Sequence, residues 1–129
     1  MVRQDKITYL VTFFQNEGDE MPTGESLKLW LDNSSFDPHI YERIKDGDFF
    51  PGNIVSNRVL TRLGVIATSD IQETQRLMSE FIPFTKHKLL FINIAELGNQ
   101  LCTAFSPSCV DCKLIEICDF FNEKNRWAA

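Results

Sequence analysis

Four cysteines stand at C-x6-C-x2-C-x5-C spacing in the last quarter of the sequence: Cys102, Cys109, Cys112 and Cys118. They are the only cysteines in the chain. Thiolates gathered in one short stretch suit metal binding, because short intervening loops bring the sulfurs together at little closure entropy. Disulfides tend instead to staple distant parts of a chain. From spacing alone three readings stay open. Structural zinc sites usually pair two short Cys-x2–4-Cys knuckles, and here only Cys109 and Cys112 form one. An iron–sulfur cluster held by four thiolates is the second reading. Paired disulfides are the third, and they need an oxidising compartment. The opening MVRQDKITYLVTFF has no uninterrupted apolar run of signal-peptide length and no small-residue cleavage site. The expected setting is therefore the reducing cytoplasm, where a cluster ranks ahead of zinc and both ahead of disulfides.

The elements that must position these cysteines read as helices. Ile7, Leu10, Val11 and Phe14 lie at i, i+3, i+4, i+7 spacing and predict a helix over 4–16. Thr23 or Ser26 is placed to cap a helix running to Leu31, and Asp37-Pro38 to start another that ends at Gly47. Asn53 is a candidate N-cap for a helix through Leu63, closed by Gly64. Ser69 or Asp70 opens a helix over 70–82 carrying Ile71, Leu77, Met78 and Phe81, and Pro83 stops it. The longest expected helix, Thr85 to Leu101, leads directly into the cysteine loop. No strand alternation or hairpin turn signal is present, so the expected class is all-α.

At 129 residues the chain reads as one domain, with 43% apolar residues to build a core. Eleven Phe against two Tyr and two Trp make the aromatics core material rather than a stacking platform. No segment approaches the roughly 20 apolar residues of a membrane helix. The net charge of −5 is concentrated in residues 1–48, which hold five Lys/Arg against ten Asp/Glu. Residues 49–121 are close to neutral and 122–129 form a short tail. A nucleic-acid binder normally shows a basic face, and this chain as a whole does not. His39 and His87 are isolated and read as surface or packing residues rather than ligands.

Two stretches carry more than spacing. Leu97-Gly98-Asn99-Gln100-Leu101-Cys102 is an apolar-Gly-x3-Cys step at a helix end, followed by Thr103-Ala104 and by Pro107 ahead of Cys109. Upstream stands Phe50-Pro51-Gly52-Asn53-Ile54-Val55-Ser56-Asn57-Arg58-Val59-Leu60-Thr61-Arg62-Leu63-Gly64. Together with the four-cysteine spacing, residues 49–121 resemble the iron–sulfur half of the endonuclease III and adenine DNA glycosylase superfamily. The upstream stretch resembles that family's Pro-Val-Asp-Thr-His-Val-x-Arg-Val-Leu-x-Arg-Leu-Gly motif. The 49 residues from Asn53 to Cys102 are close to the family distance. The N-terminus corresponds by position only.

The resemblance implies a small all-α domain ending in a four-cysteine loop, with a 4Fe-4S cluster on Cys102, Cys109, Cys112 and Cys118. It also marks departures. The catalytic aspartate position holds Asn53, which caps a helix but carries no charge to stabilise a developing cation. Asp48 and Asp70 flank the motif with nothing to mark them as replacements. Pro51-Gly52 lacks the Val-Gly that completes a helix-hairpin-helix, and the lysine nucleophile has no counterpart. Residues 103–108 carry no cation, so Arg58 and Arg62, four apart on one helix face, are the candidate DNA contacts, ahead of Lys86, Lys88 and Lys113. The expectation is a non-catalytic 4Fe-4S protein in an accessory or structural role in DNA repair or processing. DNA binding by the chain alone would be weak. The expected partner supplies a helix-hairpin-helix domain, or is a second copy covering Ile54, Val55 and Val59. The alternatives are an active glycosylase or lyase, alone or as half of a split enzyme, and a redox or electron-transfer protein.

Overall fold

A computed structural model describes residues 2–17, 29, 50–83 and 85–128. Of the helix expected over 26–31 only Leu29 is described, and it is helical; the helix expected over 37–45, with Asp48 and His39, lies outside the described residues. Within them all regular structure is helical. Helix α1 spans Gln4–Glu17, α2 Ile54–Leu63, α3 Ile71–Phe81, α4 His87–Gln100 and α5 Asp119–Ala128, with a short 3-10 turn at Cys109–Asp111. No helix among the described residues is long and apolar enough to cross a membrane.

The core forms where the apolar stripes meet. From α1 come Ile7, Leu10, Val11 and Phe14, the four residues whose spacing predicts that helix, and all are buried. Val59, Leu60 and Leu63 of α2, Met78 of α3 and Leu90, Phe91, Ile92 and Ile94 of α4 join them, with Phe50 from the turn before α2. The Phe50 and Phe91 rings meet edge to face, centroids 5.5 Å apart. Helix α4 is buried on most of its circumference, as its continuous apolar run requires. His87, at its first turn, is also buried, and among the described residues neither ring nitrogen has a hydrogen-bond partner.

Helix boundaries follow local chemistry. Asn53 caps α2 by accepting from the Ser56 amide at 2.8 Å, while Ser56 Oγ accepts from the Asn53 amide at 2.8 Å. This reciprocal pair is a capping box. Asp70 caps α3 on the amides of Gln72 and Glu73, and Ile82 closes it before Pro83. Helix α4 begins two residues later than its apolar pattern suggests. Thr85 has φ +77°, a left-handed conformation that cannot open a helix, and Lys86 caps the helix start with no side-chain hydrogen bond. The segment after Cys118, read from the sequence as the loop's end and a tail, is helix α5.

Two side chains join the chain's ends. Lys6 is buried, and its Nζ donates to Leu63 O at 2.5 Å, Ile117 O at 2.8 Å and Asp119 Oδ1 at 2.8 Å. One ammonium therefore serves the open carbonyl end of α2, the turn before α5 and a carboxylate in the first turn of α5. Gly64 lies beneath this network with φ +88°, and a β-carbon there would overlap the Asp119 carboxylate and come 2.7 Å from Lys6 Nζ. Gly64→Ala should accordingly cost about 1–3 kcal/mol from backbone strain, with the steric overlap added. Chemical denaturation of the variant against the parent checks this, and an unchanged midpoint would mean that the network does not constrain position 64.

Candidate metal centre

Helix α2 meets α4 at Gly98. A β-carbon on Gly98 would overlap Val55 Cγ1 and stand 2.9 Å from Val59 Cγ2. The bare backbone of α4 is what admits the two valines. Val59 is wholly buried there and Val55 half-buried, so of the three residues expected to leave an uncovered apolar face only Ile54, 76% exposed, does so.

That close approach brings the two arginines of α2 to the end of α4 and the start of the cysteine loop. Arg58 Nη2 donates to Gly98 O at 2.8 Å and its Nε to Cys102 O at 3.0 Å. Arg62 Nη1 donates to Thr103 O at 2.7 Å and Nη2 to Ala104 O at 3.1 Å. Arg62 Nη1 also lies 3.4 Å from Cys102 Sγ, and the guanidinium carbon sits 4.7 Å over the Phe120 ring. The sequence pattern correctly puts both arginines on one face. That face turns toward the loop's own carbonyls, which engage the guanidinium groups proposed above as DNA contacts.

The loop turns back on itself. Cys102 N donates to Leu97 O at 2.8 Å, Ser108 N to Leu101 O at 2.8 Å and Cys112 N to Cys109 O at 3.0 Å. The first pairing closes the end of α4; the others fold Ser108–Cys112 under it. Cys118 is buried beside α2, and its thiol donates to Arg62 O at 3.4 Å. The result is one pocket lined by all four cysteines together with Val59, Leu63, Leu97, Leu101, Ile115 and Phe121, with Arg62 and Phe120 at its side. Its empty volume is about 380 Å³, part of it open to solvent. Phe105 and Val110 point away from it and are 100% and 85% exposed.

The donor set is four thiols in a largely apolar lining. Burial pushes the thiols of Cys112 and Cys118 above the ordinary cysteine range, while backbone amides of Leu114, Phe121 and Phe120 pull in the opposite direction. Thiolates in so apolar a lining need a counter-charge, which a metal centre supplies. Among the described residues no three His, Cys, Asp or Glu side chains converge as ligands of a single ion must. Four thiolates on one zinc, at about 2.3 Å each, would stand about 3.8 Å apart. The four cysteines line one pocket, but their side chains do not converge on one point.

Asn53 lies away from this pocket and acts as a helix cap. The turn before it is also occupied internally. The Phe50 amide donates to Ser79 Oγ at 3.2 Å, and Gln75 Nε2 donates to Pro51 O. Asp70, the other flanking carboxylate, caps α3. The residues that sequence reasoning missed are Lys6, whose only hint is its place beside the apolar stripe of α1, and Phe120, on the unexpected helix. No protein-family model, curated protein or solved structure matches the chain. The likeness to the endonuclease III superfamily therefore rests on the motifs alone.

Because Asn53 caps through its carbonyl oxygen, Asn53→Asp should keep the parent stability, whereas Asn53→Ala should lose about 1 kcal/mol. Equilibrium unfolding of the three proteins checks this, and equal losses in both variants would remove the capping role.

Proposed function

We propose that this chain is a four-cysteine iron–sulfur protein, holding a 4Fe-4S cluster on Cys102, Cys109, Cys112 and Cys118 in a structural or accessory role. The observation that carries the reading is the single apolar pocket that all four cysteines line. Cys102 reaches it from the end of α4, Cys109 and Cys112 from the 3-10 turn and its cap, and Cys118 from the turn before α5. A cluster there would tie the end of α4 to the start of α5 and fix the intervening loop. Metal binding would then be part of the folding free energy of the C-terminal third.

A place in DNA repair or processing is the narrower part of the proposal, and its support is the sequence motifs. Asn53 argues for a non-catalytic member, since a neutral cap offers no charge to a developing cation. Inward-turned Arg58 and Arg62 argue for weak DNA binding by the chain alone. We place the protein in the reducing cytoplasm, where four free thiols persist, acting with a partner that supplies DNA-reading surface.

Anaerobically purified protein should be brown, with about four irons per chain and a broad thiolate-to-iron absorption. Cys109→Ser or Cys112→Ser should lose the cluster and lower the stability of the C-terminal third. One zinc and no iron, from cells with intact cluster assembly, would replace the cluster by a zinc site.

The pure chain should also release no base from DNA carrying uracil, oxidised pyrimidines or mispaired adenine. Its duplex binding at physiological salt should be no tighter than the roughly 10⁻⁴–10⁻⁶ M of non-specific contact, with a shallow salt slope. Multiple-turnover base release would restore the glycosylase reading.

A further inference from the structure

We propose that Cys109 and Cys112 form a dithiol that closes reversibly to a disulfide, with a small disulfide of the oxidised-glutathione class as its oxidant. The proposal goes beyond the cluster reading and does not rest on it, because it concerns the cysteines as free thiols.

The backbone brings the pair together. Cys109, Val110 and Asp111 form the 3-10 turn, and Cys112 caps it. Two successive i to i+3 hydrogen bonds hold the turn, Asp111 N donating to Ser108 O and Cys112 N to Cys109 O, each at 3.0 Å. The second bond has the two cysteines at its ends. A turn of this kind keeps its end α-carbons within about 7 Å, and a disulfide spans about 4.4–6.8 Å between α-carbons. Side chains three apart in a 3-10 turn eclipse one another, so both thiols leave the same side of the backbone. Both line the same pocket. Only two residues intervene, so the ring closes at little cost in chain entropy.

The other two cysteines are held elsewhere. Cys102 O accepts from Arg58 Nε at 3.0 Å, and Cys102 Sγ lies 3.4 Å from Arg62 Nη1. Cys118 is buried, and its thiol donates to Arg62 O. Cys109 and Cys112 are half-buried on a turn whose two middle residues, Val110 and Asp111, face solvent. A small disulfide reaches this pair from outside, whereas it reaches Cys118 only after the core opens.

The step is thiol–disulfide exchange. The thiolate of one cysteine attacks a sulfur of the oxidant, forming a mixed disulfide and releasing one glutathione thiolate. The second cysteine gives its proton to solvent and attacks the protein-side sulfur, which releases the second glutathione. One protein S–S bond replaces the S–S bond of the oxidant. The two cysteines lose two electrons and the oxidant gains them. In a reducing cytoplasm the pair rests as a dithiol, and disulfides that form there are typically transient and redox-sensing. A closed pair leaves the pocket two thiols instead of four.

The test uses the full chain, purified anaerobically with chelator and reductant until all four thiols react with iodoacetamide. It is equilibrated in glutathione buffers of rising oxidised share, quenched with acid, alkylated and mapped by mass spectrometry. The folded parent should lose two of its four alkylatable thiols in one step, with Cys109 linked to Cys112 and with Cys102 and Cys118 alkylated. Dithiothreitol should restore all four. Cys102→Ser and Cys118→Ser should keep the step, and Cys109→Ser should lose it. The same titration of the parent in guanidinium should need a more oxidising buffer, because the turn no longer holds the pair. A first disulfide that joins any other two cysteines overturns the proposal, as do mixed glutathione adducts with no internal disulfide. Equal midpoints in the folded and denatured parent overturn it too. The parent alone gives these three readings, so they stand even where a serine variant fails to fold. They are also separate from iron content, which decides the cluster reading.

Discussion

The distance between α2 and α4 at Gly98 governs what the rest of the structure can do. With no side chain there, Val55 and Val59 reach the backbone of α4. At that separation the guanidinium groups of α2 reach the carbonyls at the end of α4 and of the residues just beyond it. A β-carbon would hold the helices apart, and the donors of Arg58 and Arg62 would fall short of Gly98, Cys102, Thr103 and Ala104. Those carbonyls belong to the terminal turn of α4 and to the loop that leaves it, where regular helical partners run out. The arginines supply the missing donors, and the first cysteine takes its position from them. A packing constraint between two helices thereby becomes a constraint on where the first cysteine stands.

The same arrangement explains how a loop of small and polar residues can hold a definite shape. From 103 to 108 the chain has few side chains that pack inward, and Phe105 at its tip faces solvent. Order comes instead from its two ends. The first end is braced by α2, and the second is tied down by the Ser108 amide on Leu101 O and by Leu114, which is buried in the core. Burial of Leu114 between Cys112 and Cys118 fixes the spacing of the last two cysteines much as the arginines fix the first. The four cysteines are thus placed by groups outside their own set.

Much of this was legible in the residues because the signals are local. The stripe Ile7, Leu10, Val11 and Phe14 becomes the buried face of α1, Asn53 and Asp70 cap as their side chains suggest, and Gly64 closes α2 in the left-handed region. Arg58 and Arg62 do share a face, as their spacing requires. Their direction was not legible, since a charge on a helix reads equally as solvated or as turned inward until the neighbouring helix is placed. Helix α5 was missed because its start, where half-buried Phe120 and Phe121 follow Cys118, looks in sequence like the end of the loop. The late start of α4 was missed because the apolar pattern continues smoothly through a residue whose backbone is left-handed. The cysteines were gathered by spacing alone, whereas the width of their pocket depends on side chains contributed from three helices.

Lys6 has a consequence for how the chain is made. Its partner Asp119 lies 113 positions further along, so the ammonium cannot meet the carboxylate until the chain has been synthesised through Asp119. At the ordinary pace of translation, about 5–20 residues per second, the wait is roughly 6–23 s. Through that interval α1 carries an apolar stripe with no completed core to cover it. The last turn of α2 likewise lacks the donor that will serve Leu63 O. Helix α1 thus emerges well before the residue that locks it. The lock closes only after all four cysteines have been added to the chain, because Asp119 directly follows Cys118.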